Sequence, residues 1–268
     1  MLLNFSNNLE PSLVQHIVNF GLDSSFTALS LVMILPELTL FIGLFAIVII
    51  SGMYNKKYPI NITIKTVRLV SYVITVFSLL VVIILWLNFY ITPANINYKN
   101  LFFQDTYSIN FYTQFLKIVV TISTLSLYKY FNLLNSRANT IELLLLIHIC
   151  TLLTFIIISS TNFIVLLLAL EGFSLALYIL TTVDRSRGGI IAAAKYFVFG
   201  TLGSILILWG VVHLYSFYFN VSYRSILTLC QLASINNTIN FVQSSYNFAI
   251  ISILLGLLIK LGAAPIHQ

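Results

Sequence analysis

Seven long apolar runs, separated by short polar stretches, occupy the chain from residue 28 onwards. A run of roughly 20 apolar residues is long enough to cross a bilayer as a helix. The pattern therefore predicts transmembrane spans at 28–53, 66–92, 109–131, 140–159, 162–183, 190–216 and 246–268. Residues 1–27 are predicted to be an amphipathic or extended lead-in to a transmembrane domain of residues 28–268. The polar stretch 217–245 is predicted to be a loop with a surface segment.

Composition supports a membrane protein. The 268 residues are 59% hydrophobic and only 7% charged, whereas a soluble domain carries roughly a quarter charged residues. So few charges could not cover a surface that faces water, and they offer no basic patch for nucleic acid. The predicted fold class is therefore an all-α polytopic membrane protein. The two cysteines, Cys150 and Cys230, are far apart and predict neither a metal site nor a disulfide.

The basic residues fix the expected orientation of the spans. Eight of them flank the connections after spans one, three and five: Lys56, Lys57, Lys65, Arg68, Lys129, Arg137, Arg185 and Arg187. The alternate connections hold only Lys99 and Arg224. Because basic loops stay on the inner side of a membrane, the N-terminus is predicted to lie outside, and all seven spans alternate without a misfit.

Four charged residues fall within predicted spans: Lys117, Glu171, Lys195 and Lys260. A charge at the centre of a bilayer costs roughly 2.5–3.5 kcal/mol or more, so it usually has a functional reason. Burial destabilises the charged form of lysine and of glutamate, so these groups exchange protons more readily. The four residues are therefore candidates for a proton relay. Lys117 lies eight residues into its span, from where its side chain could instead reach the surface.

Lys260 is next to a predicted break in the seventh span. Pro265 has no N–H and leaves the Leu261 carbonyl without its helical donor, and Gly262 weakens the same turn. Irregular backbone at membrane depth persists only where protein or water satisfies it, and broken helices mark ion sites in transporters. His267 is close enough to support such a site. The alternative is a plain proline kink with a lysine beside it.

Glu171 and Lys195 lie in neighbouring spans. Glu171 follows eight apolar or small residues in its span, and Lys195 follows three alanines in a helix that also contains Gly200 and Gly203. Small residues let helices approach closely, which is expected to bring Lys195 near a partner such as Glu171. The alternatives are a purely structural ion pair for Glu171 and a lysine that reaches the membrane surface for Lys195.

These segments resemble a known family. The stretches "LLALEGFSLALYIL", "AAAKYFVFGTLGS" and "GLLIKLGAAPIH" resemble the antiporter-like core of NADH dehydrogenase subunit 2 of respiratory complex I. Further resemblance extends over roughly residues 28–268 and is weakest at 217–245. The lysine–proline–histidine segment resembles subunit 2 more than the related subunits 4 and 5.

The resemblance implies roles for the charged residues. Glu171 corresponds to the carboxylate of transmembrane helix five, Lys195 to the lysine of helix six and Lys260 to the central lysine of broken helix seven, all expected to relay protons across mid-membrane. It implies a subunit of the mitochondrial inner membrane, with its N-terminus on the intermembrane-space side, among the other membrane-arm subunits and lipids. NAD, FMN, iron–sulfur clusters and ubiquinone are expected to belong to the wider complex.

The family pattern is about twice as long as this sequence. Its second inverted repeat, with further lysines, has no counterpart here. We expect a second chain to carry the C-terminal half, as in a split subunit, although a truncated or degenerate sequence is the alternative. Two other functions stay open: a subunit of an Mrp-type cation/proton antiporter, and a structural membrane subunit whose charges only pair.

Overall fold

The fold consists of seven helices in the part of the chain that the structure describes. The computed structural model describes residues 34–57, 60–91, 106–133, 140–183, 186–218, 221–223, 226–227 and 240–262. The helices are α1 (Leu35–Lys57), α2 (Ile60–Ile91), α3 (Phe111–Leu133), α4 (Thr140–Ser159), α5 (Phe163–Thr182), α6 (Arg187–Tyr218) and α7 (Asn240–Lys260). The predicted all-α class is confirmed, and each predicted span coincides with one helix.

Five of these helices are long and apolar enough to cross a membrane, namely α1, α2, α4, α5 and α6. α7 contributes a shorter apolar stretch, Asn247–Lys260. α3 does not meet the same standard because it carries Gln114, Lys117 and several hydroxyl side chains. Gln114, Lys117, Thr121 and Thr124 of this helix are buried, so this part of its polarity faces inward rather than toward lipid.

The helices place apolar side chains outside and polar side chains inside. Large hydrophobic residues such as Ile42, Leu69 and Leu168 are about two-thirds exposed, at 65%, 65% and 66%. Ser78 and His148 are fully buried. An apolar exterior of this extent suits a lipid environment, in which buried polar groups must find partners within the protein. The chain is a multi-pass membrane protein.

Two groups of helices share α4 and α5 as their junction. α1 to α4 surround one core that contains Ile47, Val67, Tyr128 and Leu144, whereas α5, α6 and α7 surround another that includes Leu167, Ile207 and Ile253. Leu146 of α4 packs with Ala176 of α5 between them. Charges on α5 and α7 are thereby held in a different group from charges on α1 and α3.

Short backbone bridges join several connections at one end of the bundle. The amide of Ser108 donates to the Ser159 carbonyl at 2.8 Å, and the amide of Thr161 donates to the Thr106 carbonyl at 3.0 Å. The amide of Tyr223 donates to the Thr161 carbonyl at 3.0 Å. We call this end, where α3 and α5 begin, the Tyr107 end. The other end, where α1 and α3 finish, carries the basic connections and is called the basic end.

Several sequence predictions fall outside the described residues. They concern the lead-in 1–27, most of the loop 217–245, and the residues Pro265 and His267. The last predicted span reached residue 268, whereas α7 ends at Lys260 and begins at Asn240, earlier than the predicted 246. The early end has a local cause at Gly262, described below.

Candidate functional site

An ion pair joins α5 to α7. The Lys260 Nζ donates to the Glu171 Oε1 at 2.9 Å. The Lys260 side chain is 9% exposed and the Glu171 side chain 32% exposed. Glu171 is the ninth residue of α5, about 12 Å from the start of that helix at 1.5 Å per residue. The pair therefore lies well inside the apolar part of the bundle.

Lys260 reaches Glu171 because α6 and α7 approach closely. A Cβ placed on Gly203 of α6 would lie 3.2 Å from Lys260 Cγ and 3.0 Å from the Gly256 carbonyl oxygen. A Cβ placed on Gly256 would lie 2.5 Å from the Gly203 carbonyl oxygen. The lysine stem passes over the space that Gly203 leaves open. The prediction that small residues bring helices together is confirmed here, and the helix that Gly203 allows to approach is α7.

Gly262 ends α7 directly after Lys260. Its φ is +64°, a left-handed conformation that glycine adopts without strain. The amide of Gly262 donates to the Ile259 carbonyl at 3.0 Å, which is one of the two bonds of a glycine-capped helix end. The predicted weakening of this turn by Gly262 is thus seen directly, whereas the effect predicted for Pro265 lies outside the described residues. The positive charge of Lys260, in the last turn, also interacts favourably with the negative end of the helix dipole.

Replacing Gly262 with alanine is expected to destabilise this cap. A non-glycine residue in the left-handed region costs roughly 1–2 kcal/mol, so the free energy of unfolding should fall by about 1 kcal/mol. Gly188→Ala is the matched control, because a Cβ there meets no atom within 4 Å and alanine favours a helix. Unfolding of both variants in detergent micelles measures the difference. A neutral Gly262→Ala would contradict the described cap.

Lys195 lies beside Lys260 in the wall of one cavity. The cavity has a volume of about 510 Å³, and its lining includes Lys195, Lys260, Tyr196 and Thr181. Thr181 is one residue from the end of α5, so the cavity reaches toward the basic end. A space of this size has room for several water molecules. The cavity can therefore connect both lysines to the aqueous phase at that end.

Lys195 was expected to lie near a partner such as Glu171, and the structure gives Glu171 a different lysine as its ion-pair partner. Glu171 pairs with Lys260, and within the described residues Lys195 forms no ion pair. Its side chain is exposed. The physical reason is the face that α6 presents to its neighbours: Gly203 turns toward α7, while Lys195 turns into the cavity. The cavity brings Lys195 and Lys260 together, and Glu171 is joined to them through its ion pair with Lys260.

A second buried ion pair lies at the Tyr107 end, and the sequence reasoning missed it. The Lys117 Nζ donates to the Glu37 Oε1 at 2.5 Å, and their side chains are 0% and 10% exposed. The sequence analysis does not single out Glu37, and for Lys117 it leaves open a side chain that reaches the surface. Both residues lie near the same end of their predicted spans, which is the signal that could have paired them.

Tyr107 completes this second cluster. Its hydroxyl donates to Glu37 Oε1 and accepts from Lys117 Nζ at 3.0 Å. Tyr107 lies in the segment before α3, which the backbone bridge to Ser160 holds in place. Burial, followed by the negative charge of Glu37, raises the pKa of Tyr107 well above its usual value, so the phenol stays protonated.

Sequence comparisons identify similar proteins over most of the chain. Residues 160–268 match a family described as "NADH:quinone oxidoreductase/Mrp antiporter, TM". The NADH-quinone oxidoreductase subunit N of Bartonella bacilliformis is 31% identical over 89% of this chain and 45% of its own length. The NADH-ubiquinone oxidoreductase chain 2 of Rhizopus oryzae is 38% identical over 42% of this chain and 20% of its own length.

Two solved structures share the fold. A chain of respiratory complex I from Thermus thermophilus superposes with a TM-score of 0.64 at 20% identity, over 87% of this chain and 45% of that chain. A chain of the archaeal membrane-bound sulfane sulfur reductase gives 0.69 at 17% identity, over 85% and 44%. The chain spans less than half the length of subunit N. The resemblance to subunit 2 of complex I is confirmed, over the N-terminal part of these relatives.

Proposed function

We propose that this chain is a subunit of the membrane arm of NADH:ubiquinone oxidoreductase and forms part of a proton-translocation path. The observation that carries the proposal is the Lys260–Glu171 pair at 2.9 Å, whose lysine lines the same cavity as Lys195. Ionisable groups inside a membrane protein are rare and indicate a functional site by default, with proton relays among the recurring kinds. The similarity to subunit N and chain 2 proteins is the reason for proposing this particular complex.

The three residues have separate roles in this proposal. Lys195 takes up a proton from water in the cavity, which reaches toward the basic end. Lys260 exchanges that proton with the same water. In the resting state the positive charge of Lys260 is balanced by the negative charge of Glu171. Transfer of a proton from Lys260 Nζ to Glu171 Oε1 converts the ion pair into a neutral pair. A second positive charge on Lys195 favours that transfer, since two ammonium groups on one cavity repel each other.

The proposal places the chain in the mitochondrial inner membrane, with the N-terminal side in the intermembrane space and the basic end in the matrix. The abundance of Phe and Tyr, 21 and 15 residues, suits an A+T-rich organellar gene. NAD, FMN, iron–sulfur clusters and ubiquinone belong to other subunits. Lipids surround the exposed apolar faces. The region that corresponds to the C-terminal half of subunit 2 is the proposed neighbour of the exposed Lys195.

An Mrp-type cation/proton antiporter subunit is the second candidate. The description of the matched family supports it, because that description names Mrp antiporters beside NADH:quinone oxidoreductases. The alignments with subunit N and chain 2 proteins favour the first candidate, because both relatives are named as oxidoreductase subunits.

Copurification distinguishes the two candidates. We expect an affinity-tagged chain, extracted from its own membranes in mild detergent, to run as one large assembly. Mass spectrometry of that assembly should find the NADH- and flavin-binding subunits of complex I, and NADH should reduce a quinone analogue in the same fractions. An assembly of antiporter subunits without quinone reductase activity would replace this proposal with the second candidate.

A further inference from the structure

The cluster of Glu37, Tyr107 and Lys117, called here the Tyr107 cluster, is separate from the Glu171 site. Glu37 belongs to α1 and Lys117 to α3, and α1 packs against α2 and α4. Phe155 of α4 closes the cluster from one side, with its ring centre 5.7 Å from Lys117 Nζ. The three polar side chains thus form a compact buried group at the Tyr107 end.

The hydrogen bonds of this cluster converge on one oxygen atom. Glu37 Oε1 accepts from both Lys117 Nζ and the Tyr107 hydroxyl. Glu37 Oε2 is also buried but accepts no hydrogen bond from the described residues. One oxygen of this carboxylate accepts two hydrogen bonds and the other accepts none, so the second oxygen can still accept a hydrogen bond.

Gln114 provides a second unpartnered group close by in the sequence of α3. It lies one helical turn before Lys117 on the same face of the helix, and it is fully buried. Neither its Nε2 nor its Oε1 has a partner among the described residues. Buried polar groups without protein partners are normally satisfied by internal water. Two such groups, one on Glu37 and the other a helical turn from Lys117, therefore point to bound water.

We propose that the Tyr107 cluster is a second proton-binding site, in which bound water links Gln114 to Glu37 Oε2 and the proton is held on that oxygen. When water delivers the proton, an O–H bond forms at Oε2, an O–H bond of hydronium breaks, and neutral water remains. Lys117 and Tyr107 keep donating to Oε1 throughout, so protonation breaks no hydrogen bond of the cluster. The proposal does not depend on the Glu171 site.

The surrounding helices bring few other charges to Glu37. His148 of α4 binds the Leu40 carbonyl through Nε2 at 3.0 Å, one turn along α1 from Glu37. Tyr128 of α3 lies behind it, 3.4 Å from His148 Nδ1. Among the side chains that the structure describes on α1 to α4, the remaining titratable groups are Lys65, Arg68, Tyr72, Tyr112, Lys129, Tyr130, Glu142 and Cys150. Lys65, Arg68, Lys129 and Glu142 of this set lie toward the basic end.

Infrared difference spectroscopy tests the proposal on the full chain in lipid nanodiscs, together with any subunits that copurify. Acidification should produce a carboxylic acid C=O band, and Glu37→Gln should remove it while Glu171→Gln leaves it in place. Exchange into H₂¹⁸O should shift a water band that Glu37→Gln also removes. A folded Glu37→Gln variant that keeps both bands would reduce the cluster to a structural ion pair.

Gln114→Leu gives a second test in case Glu37→Gln does not fold. Without the amide that holds the water, the charged carboxylate loses support. The proton concentration at half-protonation of the Glu37 band should then fall about tenfold. Ser123→Ala, which changes an exposed hydroxyl on the same helix, should leave that concentration unchanged. An unchanged titration in Gln114→Leu would overturn the water link and the proposal with it.

Discussion

Replacing Glu171 with glutamine is expected to lower proton translocation by the complex that contains this chain by a factor on the order of 100, the size of a lost proton-transfer group. Glutamine has nearly the same shape but cannot accept the proton of Lys260 Nζ, which lies 2.9 Å from the Glu171 carboxylate. Fluorescence quenching of a pH-sensitive dye in proteoliposomes, driven by NADH, measures the rate.

Glu142→Gln serves as the matched control for this substitution. Glu142 is an exposed carboxylate in the first turn of α4, so its change should leave translocation within twofold of the native rate. Blue native gels should show both variants assembled to the native level. Unaltered translocation in an assembled Glu171→Gln variant would mean that the ion pair is only structural, which is the third function left open by the sequence.

Replacing Gly256 with leucine is expected to separate α6 from α7. A Cβ at this position would lie 2.5 Å from the Gly203 carbonyl oxygen and 2.6 Å from Ile207 Cγ1, and neither atom is at the free end of a flexible side chain. Overpacking of this kind costs about 3 kcal/mol. The free energy of unfolding in mixed micelles should fall by that amount. Because Lys260 lies one turn further along α7, its pair with Glu171 should also break.

Gly52→Leu provides the comparison for the packing effect. A Cβ at Gly52 of α1 meets no atom within 4 Å, so the same change of side chain should alter the stability by less than about 0.5 kcal/mol. Equal stabilities of the two leucine variants would show that α6 and α7 can move apart without loss, contrary to the described contact.

The hydrophobic pattern was sufficient to predict the helices but not their faces. Each predicted span coincides with a helix because length and hydropathy set where a chain can cross a bilayer. The depth of Glu171 followed from the same count. The partner of Glu171 did not, since pairing depends on which side of α6 faces α7. Gly203, rather than Lys195, occupies that side.

The Tyr107 cluster was missed for a related reason. The sequence shows how far Glu37 and Lys117 lie from their own span ends, but it does not show which side chains face each other once the helices pack. The packed structure buries both residues under the segment that precedes α3. That segment is held by single backbone bridges to the α4–α5 turn, and bridges of two or three residues leave no periodic pattern in a sequence.

The short distance between Lys260 and Glu171 determines how an electric potential across the membrane acts on them. Carrying one charge across the whole membrane costs about 2.3 kcal/mol per 100 mV. The two charges are 2.9 Å apart, at most about a tenth of a hydrocarbon layer roughly 30 Å thick. The resting pair therefore gains or loses only about 0.2 kcal/mol per 100 mV, whatever its direction. A membrane potential therefore leaves the resting pair intact, and in the proposed function it acts on the steps that carry a lone charge to or from the pair.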